Sequence, residues 1–177
     1  MYLLVLVIAV LMTASILVKN RKVDNAFILF GVLLILSSGG QYMLAVSETV
    51  EAAVWANKIL YVGGCYLPFV AFIIVTRLCN IRVNRHFKML SLVYASLVLG
   101  FVISIGHNGL YYVSVEVVQG NGFNYLVKEY GPFHVLYPVM MVLYSVLAIA
   151  FIGYAIKNRK EISTRTVVIM SFLCTVT

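Results

Sequence analysis

Six polar side chains stand out because they lie in or beside long apolar stretches, where an uncompensated polar group is costly. Lysine and histidine can bind anionic or carbonyl groups, while tyrosine rings pack against apolar parts of a ligand. All six fall in the outer half of their stretches or near the middle, on the orientation derived below. We therefore predict a ligand pocket formed by Lys58, Tyr61, His107, His134, Tyr137 and Gln41.

Lys58 is the most informative of these residues, since it lies roughly 10 Å below the outer end of its stretch at about 1.5 Å per residue. Its ammonium has two possible roles. It can extend to the lipid headgroups or pair with Glu48 or Glu51. Alternatively, it can bind an anion or a carbonyl at the floor of an outward-open pocket. The histidines and tyrosines have structural alternatives too, as partners of loop carbonyls and as packing between helices.

Catalytic chemistry is not indicated by any motif. GxSxG, Walker, HExxH and GxGxxG patterns are missing from the sequence, and none of its six acidic residues falls deep in an apolar stretch. The three cysteines, Cys65, Cys79 and Cys174, form no CxxC pair. We therefore predict no catalytic residue, no metal site, no cofactor and no disulfide.

The elements that carry these residues are predicted to be transmembrane helices. The chain is 63% hydrophobic and only 11% charged, too apolar for a soluble domain of 177 residues. Its apolar runs are continuous rather than alternating, which favours an all-α polytopic helix bundle over a barrel. We place spans at about 1–18, 26–46, 52–78, 87–105 and 132–156, with part of a sixth at 166–177. Because the sixth is short, we expect a longer protein, in which 1–177 is a single transmembrane domain.

Positive charge is concentrated in alternate connections between these spans. Eleven of the 13 lysines and arginines lie in or beside the first, third and fifth connections, which predicts that those face the cytoplasm and that the N-terminus is outside. Basic residues follow the first span instead of preceding it, so we predict a retained helix, not a signal peptide. The net charge of +7 then needs no nucleic-acid partner, and the lipid bilayer is the predicted partner.

The connection at 106–131 is long enough to hold structure of its own. Residues 111–118 and 123–130 partly alternate between apolar and polar, and Gln119-Gly120-Asn121-Gly122 has the composition of a turn. We predict a short extracellular β-hairpin that covers the outer end of the bundle.

Three segments of the sequence resemble the N-terminal seven-transmembrane region of bacterial histidine kinases. In its third helix that family carries an aromatic residue, then Leu-x-Tyr-x-Gly, then Pro. Trp55, Ile59 (at the leucine position), Tyr61, Gly63 and Pro68 follow this order here. The pair His107-Asn108 resembles the family's Asn/His pair, and Tyr130-Gly131-Pro132 resembles the end of its β-like insert.

The resemblance implies a sensory input domain in the bacterial cytoplasmic membrane, followed in the same chain by a kinase or diguanylate cyclase module. Such a domain would bind a small molecule or an envelope cue on the outer side and pass helix motion inward. Sensors of this kind often form homodimers. The main alternative is a fragment of a secondary transporter, although the sequence shows no internal repeat. A membrane enzyme and a scaffold without ligand are further alternatives.

Overall fold

The computed structural model of the chain describes residues 1–19, 24–120 and 123–158. The predicted sixth span at 166–177 lies outside these residues. In chain order the elements are α1 (Tyr2–Lys19), α2 (Asn25–Val46), α3 (Val50–Leu78), α4 (Arg85–Ile103), β1 (Tyr112–Gln119), β2 (Asn124–Tyr130), a short 3₁₀ helix (Pro132–Val135) and α5 (Leu136–Asn158).

The prediction of a mostly helical chain with helices long enough to span a membrane is confirmed. Within the described residues, four helical segments have the required length and apolar composition: Asn25–Val46, Val50–Leu78, Arg85–Ile103 and Pro132–Asn158, which combines the 3₁₀ helix with α5. In α1 the apolar segment Tyr2–Ser15 is shorter than these. The chain also contains a two-stranded antiparallel sheet, in which Val117 lies opposite Leu126.

Side-chain caps explain where three of the helices begin. Asp24, Thr49 and Asn84 precede α2, α3 and α4, and each accepts a hydrogen bond from a backbone N–H in the first turn, at 3.0, 3.2 and 3.0 Å. These bonds satisfy donors that a helix start would leave unpaired. Asp24 also pairs with Arg77, which joins the start of α2 to the end of α3.

The central helix of the bundle is α3. Its most apolar segment is 72% buried, compared with 17% to 28% for the other three candidate spans, which leave wide apolar faces exposed. A helix that is apolar on all sides is expected at such a position. The core around α3 includes Phe72, Val98, Met140 and Tyr144, contributed by α3, α4 and α5.

Two glycines bring α2 and α3 into backbone contact. A Cβ on Gly40 would overlap the backbone of Leu60, and a Cβ on Gly63 would overlap the carbonyl of Leu33 and the backbone of Ser37. Each helix therefore contributes the glycine that lets the other approach closely. As a result α2 and α3 form one tightly packed pair.

The β1–β2 hairpin lies at the end of the bundle where α2 ends and α3 begins. Asn124 Nδ2 donates a hydrogen bond to the carbonyl of Ser47 at 2.8 Å, which fixes the hairpin to the α2–α3 turn. The acidic side chains Glu48, Glu51, Glu116 and Glu129 belong to this end. Basic residues predominate at the other end, where Arg77, Arg82, Arg85, Lys88 and Lys157 are found.

Candidate ligand site

Aromatic side chains from α3, from the hairpin and the residue before it, from the 3₁₀ helix and from the start of α5 meet in one group, which we call the aromatic cluster. Tyr61 of α3 packs edge-on against Tyr111 and Tyr137, with ring centroids 5.7 and 4.8 Å apart. His134 stacks on Tyr130 at 4.0 Å, and its ring lies 5.7 Å from that of Tyr112. The aromatic cluster thus consists of Tyr61, Tyr111, Tyr112, Tyr130, His134 and Tyr137.

Lys128 extends from β2 into the aromatic cluster. Its ammonium donates a hydrogen bond to Asn57 Oδ1 at 3.0 Å and lies 5.1 Å from the ring centroid of Tyr112 and 6.0 Å from that of Tyr61. Among the described residues, no carboxylate is within 4 Å of this ammonium. Burial lowers the pKa of Lys128 from its usual value, because a buried ammonium loses hydration.

Two buried polar groups of this site have no hydrogen-bond partner in the described part of the chain: Nδ2 of Asn57, the residue that binds Lys128, and Oη of Tyr111, whose ring packs against those of Tyr61 and Tyr112. Asn57 is 1% exposed and Tyr111 is 0% exposed. Leaving such a group unpaired costs about 1–3 kcal/mol. The hydroxyls of Tyr61 and Tyr112, by contrast, hydrogen-bond each other at 3.0 Å. Burial raises the pKa of Tyr111 and Tyr112, so both phenols are neutral near pH 7 and can donate.

A cleft of about 240 Å³ lies beside the aromatic cluster, and Tyr112 forms part of its wall. The turn between α4 and β1 supplies most of the lining. Gly106 and Gly109 adopt positive φ angles of 91° and 63° in this turn, a conformation that glycine reaches without steric cost. Asn108 Oδ1 stabilises the turn by accepting hydrogen bonds from Ser104 Oγ at 3.0 Å and from the Leu110 N–H at 3.3 Å.

Three of the six residues predicted from the sequence meet in the aromatic cluster: Tyr61, His134 and Tyr137. The other three do not reach it. Lys58 places its ammonium 5.1 Å from the ring of Trp55, which is 60% exposed, and forms no ion pair with Glu48 or Glu51. His107 is exposed at the edge of the cleft, and Gln41 is exposed on α2.

Sequence reasoning missed Asn57, Tyr111, Tyr112 and Lys128 as site residues. One signal could have found Lys128, because it is the one lysine of the 106–131 connection and shares a strand face with Leu126. That face is half-buried, while Tyr125, Val127 and Glu129 on the other face are exposed. A cation on the inward face of a strand needs a partner, and the helices packed against that face are where this partner is expected.

The family of the chain follows from comparison with family models. The model described as the N-terminal 7TM region of histidine kinase matches residues 1–176. The chain belongs to this family. The resemblance found in the sequence is therefore confirmed. No curated protein and no solved structure matches the chain.

The 7TM region of histidine kinases is a membrane sensory input region, and the match indicates no catalytic family. The residues that carry the resemblance have clear structural roles here. Tyr61 lies in the aromatic cluster, and Gly63 permits the α2–α3 contact. Gly131 donates its N–H to the Tyr111 carbonyl at 2.9 Å, and a Cβ at this position would overlap the Leu110 carbonyl. The Tyr-Gly-Pro segment therefore seats the end of the hairpin against its start.

Proposed function

We propose that the chain is the sensory input domain of a bacterial signal-transduction receptor. It binds a small molecule or an envelope cue at its hairpin end, on the outer side of the cytoplasmic membrane, and relays helix motion to a kinase or cyclase module in the same chain. The observation that supports this proposal best is the contact of Lys128 with Asn57 and Tyr112. This contact links the Lys128 ammonium of the hairpin to α3, the central helix, at Asn57, whose Nδ2 is unpaired.

The relay that we propose runs from α3 to α5. Tyr61 packs against Tyr137 of α5, and a Cβ on Gly64 would lie 3.0 Å from the Tyr137 hydroxyl. A ligand that changes how Lys128 and Asn57 meet would alter the packing of Tyr61 on Tyr137. The tight α2–α3 pair would stay fixed while α5 shifts. A ligand drives this shift only if it binds the two arrangements with different affinity.

The orientation of the domain can be tested by labelling intact cells with a membrane-impermeant maleimide. Glu116→Cys places a thiol on the exposed face of the hairpin, and Arg82→Cys places one in the α3–α4 connection. We expect labelling of position 116 in intact cells and of position 82 only after lysis. Mass spectrometry of the labelled peptides separates these sites from the native cysteines. Labelling of position 82 alone in intact cells would put the hairpin in the cytoplasm.

The sensory role can be tested in membranes that contain the full-length receptor. We expect Lys128→Met to change kinase or cyclase output, either at rest or in response to envelope stress, because the hairpin loses its link to α3. Lys157→Met removes the same charge from an exposed site at the opposite end of α5 and serves as the matched control. If both variants respond as the wild type does under every condition, the proposed role of the hairpin contact is wrong.

A further inference from the structure

We infer that the site around Lys128 binds a small organic anion, whose carboxylate or phosphate oxygens accept hydrogen bonds from Lys128, Asn57 and Tyr111. This inference rests on the sensory function proposed above and specifies the chemistry of its ligand. Two independent observations carry it. The ammonium has no carboxylate partner among the described residues. Two buried polar groups are unpaired, one on Asn57, which contacts the ammonium, and one on Tyr111, which packs against the Tyr61 and Tyr112 rings that the ammonium faces.

The free hydrogen-bonding groups of the site can all donate. The ammonium of Lys128 has three N–H groups, and Asn57 Oδ1 accepts from it. Asn57 Nδ2 is a donor, and the neutral Tyr111 hydroxyl can donate as well. A ligand that completes these bonds must supply acceptors. An oxyanion supplies several acceptors on one group, and it also supplies the missing negative charge.

The acidic residues of the hairpin cannot take this role in the observed arrangement. Glu129 follows Lys128 directly, so its side chain lies on the opposite face of β2, where it accepts a hydrogen bond from Ser114 Oγ at 3.0 Å. Glu116 is exposed on β1. A cationic ligand is disfavoured because the aromatic rings that would hold it already face Lys128.

The rings around Lys128 select the rest of the ligand. The rings of Tyr61 and Tyr112 face the ammonium, and Tyr112 also lines the adjoining cleft of about 240 Å³, which has room for a small group. The matching chemistry is an oxyanion joined to an apolar group. A soluble aromatic or short-chain acid has this chemistry, and so has the headgroup of an anionic phospholipid next to its acyl chains. The test must therefore separate these two sources.

Binding can be measured on the full-length receptor in nanodiscs. The soluble probes are acetate, benzoate and phenyl phosphate, with benzamide and benzylamine as neutral and cationic controls. Nanodiscs of pure phosphatidylcholine are compared with nanodiscs containing phosphatidylglycerol. We expect saturable thermal stabilisation by at least one soluble anion or by phosphatidylglycerol, and none by benzamide or benzylamine. The Kd should rise about tenfold or more in Lys128→Met, since a charged hydrogen bond is lost.

Two further variants distinguish a binding role from a folding role. Lys157→Met keeps the binding site and should bind as the wild type does. Tyr111→Phe keeps the ring and removes one donor, so it should weaken anion binding without loss of fold.

If no anion and no anionic lipid stabilises the wild type more than Lys128→Met, or if benzamide and benzylamine act as the anions do, the inference is wrong. Should Lys128→Met then still alter receptor output, the sensory function stands without the anion. Conversely, anion binding that leaves output unchanged would keep the site and refute the sensory function.

Discussion

The unpaired hydroxyl of Tyr111 leads to an unusual expectation for a core substitution. The side chain is 0% exposed and its Oη has no partner among the described residues, so removing this one atom should stabilise the protein. The phenyl ring of Tyr111→Phe keeps its contacts with Tyr112 and Tyr61, at centroid distances of 4.9 and 5.7 Å. We expect a gain of about 1–2 kcal/mol in the free energy of unfolding, as a buried unpaired group costs about 1–3 kcal/mol.

The adjacent residue provides the matched control. Tyr112→Phe also removes a single buried hydroxyl, but that hydroxyl is bonded to the Tyr61 hydroxyl at 3.0 Å. The substitution removes this bond between two buried hydroxyls, and we expect a loss of about 1–3 kcal/mol. Both variants thus remove one phenolic oxygen, at neighbouring positions, and they should change the free energy of unfolding in opposite directions.

Unfolding of the purified domain by sodium dodecyl sulfate in mixed micelles, followed by circular dichroism, measures both differences. Each variant is compared with the wild type over the same range of detergent mole fraction. A Tyr111→Phe variant that loses as much stability as Tyr112→Phe would mean that the Tyr111 hydroxyl has a partner in the resting protein. Its role as a free donor for a ligand would then be refuted.

Two other features of the bundle can be tested in the same unfolding assay. Gly63→Ala should lower the free energy of unfolding by about 1–3 kcal/mol, because its Cβ overpacks the α2–α3 contact. Gly100→Ala is the control: nothing lies within 4 Å of its Cβ, so it should be neutral or stabilise by up to about 1 kcal/mol. Equal effects of the two substitutions would contradict a specific close contact at Gly63. The hydrogen bond from the Ala26 N–H, and then Arg77, hold the pKa of Asp24 below its usual 3.8. The contribution of this carboxylate is therefore fully present well above pH 3.8, where the group is ionised in both states, and is lost as the pH falls through the lowered pKa of the folded state. Asp24→Asn keeps the cap and removes the charge, so it should cost less than about 1 kcal/mol at pH 7 and flatten the acid side of the stability profile; an unchanged acid profile would show that another group controls it.

Hydropathy alone placed the helices closely. Each observed bound from α2 to α4 lies within two residues of its predicted position. The helix starts could have been placed more exactly from Asp24, Thr49 and Asn84, which cap them in the structure. The fifth span differs at its start, where Pro132 begins a 3₁₀ turn and α5 follows at Leu136. A proline fits the first turn of either kind of helix, so its presence does not distinguish them.

The candidate site was harder to predict because it depends on contacts between distant segments. Lys58 and Lys128 are both lysines near the same end of the molecule, and the sequence favoured Lys58 because of its depth in an apolar stretch. The structure turns Lys58 toward exposed Trp55, whereas the hairpin carries Lys128 onto Asn57, 71 positions away in sequence. The alternation along β2 gave only a weak signal for Lys128, because Lys128 shares a face with Leu126 while the apolar Tyr125 and Val127 lie on the opposite, exposed face.

The paired glycines of α2 and α3 also restrict how the domain can be engineered. Because Gly40 faces the backbone of Leu60 while Gly63 faces that of Leu33, the antiparallel pair fits in only one register. A single residue inserted between Leu33 and Gly40 would rotate a side chain into the opposing backbone and force the two helices apart. An extra residue in the short turn after Val46 leaves both glycines aligned. Chimeric receptors built from this domain should therefore exchange α2 and α3 together, so that the alignment of the two helices is kept.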